Sequence, residues 1–453
     1  MKLKSIFNEI ADVVMGQSPS GEDVTNSICG LPLLNGPSEF TSFHPIPVQY
    51  TEKGKKFANP NDILFCVRGS TTGKMNIADQ KYAIGRGLAA IKGKNGYSTK
   101  YVQLILEQNL DRLLTMATGS TFPNVSRDLL LNFEVDILPV TQANEISNIF
   151  NKIDQKIQLN TQINQTLEQI AQALFKSWFV DFDPVRAKVQ ALSDGLSLEQ
   201  AELAAMQAIS GKTPEELTAL SQTQPDRYAE LAETAKAFPC EMVEIDGVEV
   251  PKGWECFSLK ELSSVVSKGT TPKKSSLSSC DSKETVPFIK VKDISESGQI
   301  LINQVEQIPE KISSTELKRS ILHKNDILIS IAGTIGRVAI VPNELENANT
   351  NQAISFIRLY NDNLVGIIST FLKSRKNQKD ILSKVIQGVQ ANISLEVVRN
   401  IKIFLPINFD HKAILIFNSL LNKQLINQKE NLLTEKSRDL LLPQLLSGEI
   451  DEK

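Results

Sequence analysis

The stretch Asn61-Asp62-Ile63-Leu64-Phe65 recurs in the second half of the chain as Asn325-Asp326-Ile327-Leu328-Ile329. A glycine turn follows each copy, Gly69-Ser70-Thr71-Thr72-Gly73-Lys74 in the first and Gly333-Thr334-Ile335-Gly336-Arg337 in the second. Repetition of an apolar run together with its turn indicates a duplicated structural unit. The chain of 453 residues is therefore predicted to hold two copies of one domain.

The repeat extends on both sides of this stretch. Upstream, Gly16-Gln17-Ser18-Pro19 corresponds to Gly269-Thr270-Thr271-Pro272, and downstream each copy ends on an apolar strand closed by a proline. Alternating apolar segments broken by Gly, Pro, Asn and Ser predict short strands with some helix in each copy. We therefore assign residues 1–139 to domain 1 and residues 251–406 to domain 2.

A long segment in which apolar residues recur at helical spacing follows each domain, in residues 140–184 and 407–453. The first is predicted to be helical from about 142 to 180, and the second from about 408 to Leu442, where Pro443 would end it. At about 1.5 Å rise per residue the first helix would be roughly 58 Å long, and a helix of that length with one narrow apolar stripe needs a partner. The stripe residues are Ile146, Ile149, Ile153, Ile157, Ile163, Leu167, Ile170 and Leu174 in the first segment and Ile414, Phe417, Leu421, Leu425 and Leu432 in the second.

The two long helices are predicted to pair with each other as an antiparallel coiled coil around a pseudo-two-fold axis, in an α+β fold. The repeat relates Asn160, near the middle of the first helix, to Asn427, near the middle of the second. We expect these asparagines to meet at the crossing, where buried polar residues fix the register; exposure of each on its own helix is the alternative. The helix-pairing candidates are Ile149, Ile153, Asn160, Leu167, Phe417, Leu421 and Asn427.

The formal net charge of −3 is distributed unevenly along the chain. Residues 181–250 contain 5 Lys and Arg against 14 Asp and Glu, whereas residues 251–406 contain 21 against 15. Because residues 185–250 are also rich in Ser, Ala, Glu and Gln, we predict an acidic, partly helical connector between the two copies. The basic charge of domain 2 permits phosphate contacts but is common in proteins that bind no DNA.

Sequence motifs for catalysis are not found. The turn from Gly69 to Lys74 resembles a phosphate-binding loop, but it has three residues between its glycines instead of four, and Met75 follows the lysine. The sequence has neither a motif that would hold a flipped adenine nor a glycine-rich loop for a methyl donor, and its three histidines are scattered. A long chain without such a constellation favours binding over catalysis, so no catalytic or metal-ligating residue is assigned.

The cellular compartment is inferred from the cysteines and from the hydropathy of the chain. The five cysteines are widely spaced and form no CxxC pair, which indicates a reducing compartment. The sequence contains no run of about 18 apolar residues that would predict a membrane span, and its first residues lack the features of a signal peptide. We therefore expect a cytoplasmic protein that does not bind a membrane.

Three strings in the chain resemble the specificity subunit of type I restriction-modification systems. They are Leu174 to Pro184 (LFKSWFVDFDP), Val250 to Glu255 (VPKGWE) and Leu440 to Ile450 (LLLPQLLSGEI). The two Asp-Ile-Leu stretches with their glycine turns, and the segment Ile84-Gly85-Arg86-Gly87, are similar to the target-recognition domains of that family. The resemblance covers essentially the whole chain.

The resemblance implies a non-catalytic reader of double-stranded DNA. Each target-recognition domain would bind one half of an asymmetric, interrupted sequence, and the two helices would hold the domains a fixed distance apart. The helices would also dock two methyltransferase subunits, and two restriction and translocation subunits would complete a complex that defends against foreign DNA. S-adenosylmethionine, ATP and Mg²⁺ would then belong to the partner subunits, and this chain would need no cofactor of its own.

Within each domain, loop side chains would read base edges while lysine and arginine contact phosphates. Asp62 and Asp326 are expected to be turn residues, and Trp178 and Phe179 are expected to pack the end of the helix rather than stack on a base. The DNA-binding candidates are Gln17, Ser18, Arg68, Lys74 and Arg86 in domain 1 and Thr270, Lys273, Lys274 and Arg337 in domain 2.

Three other functions remain open on the sequence. A methyltransferase or nuclease with its own recognition region would need a catalytic motif. A coiled-coil scaffold without DNA readout would bind its partners with little response to salt, whereas DNA binding weakens steeply as salt rises. A specificity subunit of a related system, in which methylation and cleavage are fused in one partner, has the same sequence features as a type I subunit.

Overall fold

The computed structural model describes residues 3–41, 43–119, 123–245, 247–278, 280, 283–385 and 391–447. Their contacts divide the chain into two compact units. Unit 1 comprises Met1–Asn160 with Lys429–Lys453, and unit 2 comprises Thr161–Gln428.

Domain 1, in unit 1, is built from two four-stranded sheets, one two-stranded sheet and four α-helices, and its buried apolar residues form two clusters. The first sheet is antiparallel with the order β2-β9-β6-β7, and the second has the order β4-β3-β8-β5, with β3 and β8 parallel. The elements are β1 (Leu3–Ile6), α1 (Phe7–Ile10), β2 (Ala11–Met15), β3 (Leu31–Leu34), β4 (Gln49–Thr51), β5 (Phe57–Ala58), β6 (Ile63–Cys66), β7 (Met75–Ile77), β8 (Tyr82–Ile84), β9 (Leu88–Gly93), α2 (Thr99–Gln108), α3 (Leu110–Thr115), α4 (Arg127–Leu131) and β10 (Glu134–Ile137).

The connector contains four helices and a hairpin. Side-chain capping boxes at Ser197 and Thr213 start two of the helices, and Gly211 ends one of them in the left-handed conformation. The elements from the first long helix onward are α5 (Val140–Phe179), α6 (Asp183–Ser193), α7 (Leu198–Ser210), α8 (Pro214–Thr223), α9 (Pro225–Ala237), β11 (Met242–Ile245) and β12 (Val248–Pro251). The connector, predicted to be partly helical, is thus largely helical.

Domain 2, in unit 2, repeats the strand pairing of domain 1. Its sheet β14-β20-β17-β18 matches β2-β9-β6-β7, and β16-β15-β19 matches β4-β3-β8 with the same parallel pair. The elements are β13 (Trp254–Ser258), α10 (Leu259–Leu262), β14 (Ser263–Lys268), α11 (Lys274–Ser278), β15 (Thr285–Ile289), β16 (Glu306–Pro309), α12 (Glu310–Thr315), β17 (Ile327–Ser330), β18 (Val338–Ile340), β19 (Asn349–Thr350), β20 (Ile354–Leu359), α13 (Val365–Lys373), α14 (Arg375–Ser383), α15 (Leu395–Arg399), β21 (Lys402–Pro406) and α16 (Lys412–Ser447).

The repeated Asn-Asp-Ile-Leu stretch forms the same turn in both domains. Asn61 and Asn325 have left-handed backbone angles, with φ of 70° and 69°. The carboxylate of the following aspartate accepts the backbone N–H three residues before it, at 2.7 Å for Asp62 and 2.8 Å for Asp326. The prediction that both aspartates are turn residues is confirmed.

Helix α5 ends where the sequence predicted, whereas α16 does not. Helix α5 ends at Phe179, close to the predicted end at about residue 180, and Phe182 adopts a left-handed conformation before α6 begins at Asp183, within the spacer segment 140–184. Helix α16 continues through Pro443 to Ser447 instead of ending before the proline. Proline removes one backbone donor, but the leucines around it compensate by packing on the core of unit 1: Leu441, Leu442, Leu445 and Leu446. Gly448 to Ile450, the end of the third family string, lie outside the described residues.

In each unit the long helices run antiparallel, and asparagines pair across their seam. In unit 1 Asn160 Nδ2 donates to Asn431 Oδ1 at 2.9 Å. Further along, Arg438 Nη1 on α16 lies 3.7 Å from Asp154 Oδ1 on α5. Residue numbers rise on one helix as they fall on the other, which is the antiparallel order. The expected pairing of Asn160 with the asparagine at 427 is therefore wrong.

Unit 2 contains the repeat counterpart of this pair. Asn427 Nδ2 donates to Asn164 Oδ1 at 2.8 Å, and Gln424 Nε2 donates to the carbonyl of Asn164 at 3.3 Å. The repeat offset that relates Asn160 to Asn427 also relates Asn164 to Asn431, so the second pair is the repeat equivalent of the first. Each predicted asparagine is 2% exposed, so the alternative of an exposed asparagine is excluded.

The remaining helix-pairing candidates differ in burial. Phe417 is 1% exposed, and Leu421 packs against the main core of unit 2. Ile149, Ile153 and Leu167 are partly buried, and their place in the seam stays a prediction.

Trp178 and Phe179 pack as predicted. Trp178 is 1% exposed and contacts Phe238 edge to face, with ring centroids 5.5 Å apart. Phe179 packs against Trp254, with ring centroids 5.0 Å apart. Both belong to the main core of unit 2, so the first family string is an aromatic anchor for the end of α5.

Candidate nucleic-acid interface

Domain 1 carries a polar cleft of about 720 Å³ between its loops. Two predicted DNA-binding residues, Ser18 and Arg86, line it together with uncharged polar side chains. Hydroxyl, amide and guanidinium groups are the side chains that hydrogen-bond base edges and phosphates. The full lining is Ser18, Pro19, Gly21, Val24, Thr25, Asn26, Asn35, Gln49 and Arg86.

Backbone hydrogen bonds bring the loops after β2, β3 and β8 together at this cleft. Gln17 donates its N–H to Ile84 at 2.8 Å, and Arg86 donates its N–H to Ser18 Oγ at 3.2 Å. Gly85 fits because a Cβ at this position would lie 2.1 Å from Asn35 Oδ1. The glycine in Ile84-Gly85-Arg86-Gly87 therefore allows the Asn35 side chain to occupy the cleft.

Substitution of Gly85 by alanine is expected to lower the free energy of unfolding by about 0.5–1.5 kcal/mol, because the added methyl group displaces the exposed Asn35 amide and breaks its hydrogen bond to Gln49. Gly21→Ala is the matched control: it lines the same cleft, and its Cβ would meet nothing within 4 Å. We expect that control to change stability by less than about 0.5 kcal/mol. Urea unfolding of both variants measures the difference, and equal losses would contradict the steric explanation.

An amide pair lies at the centre of the cleft. Asn35 Nδ2 donates to Gln49 Oε1 at 3.0 Å, and Asn35 Oδ1 accepts a long hydrogen bond of 3.4 Å from Ser18 Oγ. The Asn35 side chain is exposed, and that of Gln49 is half-buried. The pair is thus both positioned and open to a ligand in the cleft.

The other candidates of domain 1 lie on loops next to this cleft. Gln17 is exposed just before Ser18. Arg68 and Lys74 are exposed at the two ends of the glycine turn. This turn lies beside the Arg86 loop, because Val67, just before Arg68, donates its N–H to the backbone carbonyl of the residue after Arg86 at 2.9 Å. All five predicted side chains are therefore on adjacent loops, although only two of them line the cleft.

Strand register identifies the positions in domain 2 that correspond to the cleft. Leu33 on β3 pairs with Gln49 on β4, and Phe288 on β15 pairs with Glu306 on β16. Both pairs lie next to the parallel strand pair of their domain. Glu306 therefore occupies in domain 2 the position that Gln49 occupies in domain 1.

Two more positions correspond. Asn35 and Lys290 are the residues directly after β3 and β15. The first residue after β8 donates its N–H to the backbone carbonyl of the last residue of β3, at 2.8 Å. The first residue after β19 donates its N–H to the backbone carbonyl of the last residue of β15, at 3.4 Å. Arg86 and Gln352, the next residues in these loops, are therefore equivalent.

The chemistry at these positions differs between the domains. Lys290 Nζ lies 2.5 Å from Glu306 Oε2, and Lys292 Nζ lies 3.0 Å from Glu306 Oε1. Hydrogen bonds from both lysines hold the pKa of Glu306 below its usual value, so its carboxylate is charged. Domain 2 thus presents a charged trio where domain 1 presents two neutral amides.

The predicted residues of domain 2 fall into two groups. Thr270 and Lys273 are exposed in the loop after β14, and Lys274 is exposed at the start of α11. Thr270 donates its N–H to the backbone carbonyl of Thr350 at 3.0 Å. Arg337 is half-buried, and its Nη1 donates to the backbone carbonyls of residues 294 and 291 at 2.5 and 3.3 Å. Arg337 is therefore the candidate least available to a phosphate.

Sequence reasoning missed the residues that differ between the two sites. They carry no local signature, because each is a single polar residue at the end of a short strand, and only strand register equates them. The missed residues are Asn35, Gln49, Lys290, Lys292, Glu306 and Gln352.

In the part of the chain that the structure describes, no group of three or more His, Cys, Asp or Glu side chains could hold a metal ion. Within those same residues, every helix is too short or too polar to cross a membrane.

Residues 7–169 and 251–435 match the type I restriction modification DNA specificity domain, once in each half of the chain. The chain belongs to this specificity family. It is 41% identical over 418 residues to the type I restriction enzyme HindI specificity subunit of Haemophilus influenzae, and the alignment covers 88% of each chain. It is also 30% identical over 158 residues to the putative type I restriction enzyme MjaX specificity subunit of Methanocaldococcus jannaschii, which covers 35% of this chain and 37% of that one.

The fold of this specificity subunit is similar to that of a solved relative. The crystal structure of the type I restriction-modification S subunit from M. genitalium covers 100% of this chain and 97% of its own, with a TM-score of 0.51 and 16% identity. The predicted α+β fold, with two recognition domains in repeat and two long helices, is confirmed. As a specificity subunit, the chain is the non-catalytic component of a type I system.

Proposed function

We propose that this specificity subunit reads an asymmetric, interrupted DNA sequence, one half with each domain. The observation that carries the proposal is the pair of equivalent sites with different chemistry, amides in domain 1 and a charged trio in domain 2. Two identical readers would select identical half-sites, whereas different side chains on one scaffold select different ones. The expected contacts include the loop residues predicted from the sequence, with Arg86 and Arg68 near phosphates.

We also propose that the helices dock two methyltransferase subunits. Leu159 on α5 and Ile426 on α16 are equivalent under the repeat, and their side chains are 52% and 59% exposed. Apolar side chains repeated on two equivalent helix faces fit two copies of one partner. Two restriction and translocation subunits would join through the methyltransferases, in the cytoplasm. S-adenosylmethionine, ATP and Mg²⁺ would be bound by these partners rather than by this chain.

A map of methylated bases tests the proposal. The chain would be produced with its partner methyltransferase in a host that lacks adenine methylation, and methylated positions would be found by single-molecule sequencing. We expect a two-part motif with a gap and methyladenine on both strands, and no such motif with the methyltransferase alone. A short continuous motif, or methylation that does not depend on this chain, would favour the scaffold or a different kind of system.

A further inference from the structure

The amide pair of domain 1 has the hydrogen-bonding pattern of one base. Asn35 and Gln49 use one donor and one acceptor on each other. The Gln49 amide therefore keeps both N–H groups of Nε2 and the second lone pair of Oε1, which are a donor and an acceptor on one amide for a ligand. Adenine presents in the major groove an acceptor, N7, beside a donor, N6. The pair is thus complementary to the edge of an adenine.

The charged trio of domain 2 has a different pattern. Lys290 and Lys292 supply donors from two sides of the Glu306 carboxylate, which supplies an acceptor. Guanine presents two acceptors, O6 and N7, and its partner cytosine presents the N4 donor. Adenine presents only one acceptor, N7, so it would leave one of the two lysines without a contact on that base. The trio is therefore better matched to a G·C pair than to an A·T pair.

We propose that Asn35 with Gln49 selects an A·T pair in the half-site of domain 1, and that Lys290 and Lys292 with Glu306 select a G·C pair in the half-site of domain 2. This inference rests on the proposed function. It assigns base-pair selection to residues at equivalent positions of the repeat, next to Arg86 and Gln352. Specificity would thus change in each half independently, by substitution at the ends of β3, β4, β15 and β16.

Methylation maps of single-residue variants of the full chain, made with the partner methyltransferase, test the inference. Gln49→Ala is expected to reduce discrimination at one A·T position of one half by about tenfold or more, and to leave the other half unchanged. Glu306→Gln is expected to do the same at one G·C position of the other half. The matched controls are Gln108→Ala and Glu296→Gln, which change exposed residues away from these positions and are expected to leave the motif unchanged.

Gln49→Glu keeps the inference testable if the alanine variant folds poorly. It replaces the donor of residue 49 with an acceptor, so it is expected to reduce methylation of the adenine-containing half-site while the thermal midpoint of the chain stays within a few degrees. If the unmodified chain gives no two-part motif, the proposed function fails. If it gives that motif but Gln49→Ala and Glu306→Gln leave it unchanged, or alter other base pairs, only the present inference is overturned.

Discussion

Replacement of Phe417 by alanine is expected to lower the free energy of unfolding of unit 2 by about 3–5 kcal/mol. Phe417 is 1% exposed, and its ring lies against Phe175, Trp178 and Phe179, with centroid distances of 6.4, 6.4 and 5.7 Å. The substitution leaves a cavity where α16 packs on the aromatic anchor of α5, and a rigid surround cannot close it.

The two tryptophans of the chain, Trp178 and Trp254, both lie in unit 2, so denaturant unfolding followed by tryptophan fluorescence reports on this unit. Ile426→Ala is the matched control on the same helix, because Ile426 is 59% exposed. We expect that control, measured without partner subunits, to cost less than about 1 kcal/mol. Similar losses for the two variants would show that the aromatic anchor does not hold the helix.

The second large effect is expected from Asp326→Asn, which should destabilise domain 2 by about 3–5 kcal/mol. The Asp326 side chain is fully buried, and its two oxygens accept from Arg358 Nε and Nη2 at 2.8 and 2.7 Å. Loss of the negative charge leaves Arg358, whose side chain is 29% exposed, without its ionic partner. Hydrogen exchange measures the loss in β17, which begins directly after Asp326, and in β20, which contains Arg358.

Asp62→Asn is the control for this prediction, since Asp62 forms the same turn in domain 1. Burial raises the pKa of Asp62 above its ordinary value of 3.8, so its charged form is less stable in the folded chain than in the unfolded one. The wild type therefore gains stability as the pH falls through this raised pKa, and the variant lacks that gain. At neutral pH we expect Asp62→Asn to be at least as stable as the wild type. A loss as large as that of Asp326→Asn would contradict the account.

Much of this fold could be predicted from the sequence because its signals are local and occur twice. The Asn-Asp-Ile-Leu turns need a left-handed asparagine followed by an aspartate that accepts a backbone N–H, and both copies show that requirement in their residue types. The long segments also have apolar residues at helical spacing, less regularly in the second than in the first. Each signal for a turn, strand or helix is weak alone, but its occurrence at corresponding positions of both copies supports the same domain assignment.

The helix seam could not be predicted in the same way. Apolar spacing favoured Ile163 and Ile170, but Ile170 is 42% exposed, and the described contacts of the seam involve Asn160, Asn164 and Glu168 instead. Near the middle of the two helices, side-chain amides hydrogen-bond across the seam. Hydropathy does not identify such residues, because amides are polar wherever they lie. Pro443 was misjudged for a related reason, since packing of the neighbouring leucines outweighs one lost backbone hydrogen bond.

The candidate site was predictable in part. Arg86 and Ser18 are candidates through the family resemblance and their place in loops, and both line the cleft. Asn35 and Gln49 come together because β3 pairs with β4. The sequence around either residue does not indicate that pairing, so the amide pair could not be predicted.

The most direct test of two independent readers is an exchange of domain 1. Residues 1–139 would be replaced by the corresponding segment of a relative that recognises a different target, and the methylation map would be compared with that of the unmodified chain. The account predicts that one half of the motif changes, while the other half and the length of the gap stay the same. A motif that changes in both halves, or that does not change at all, would contradict it.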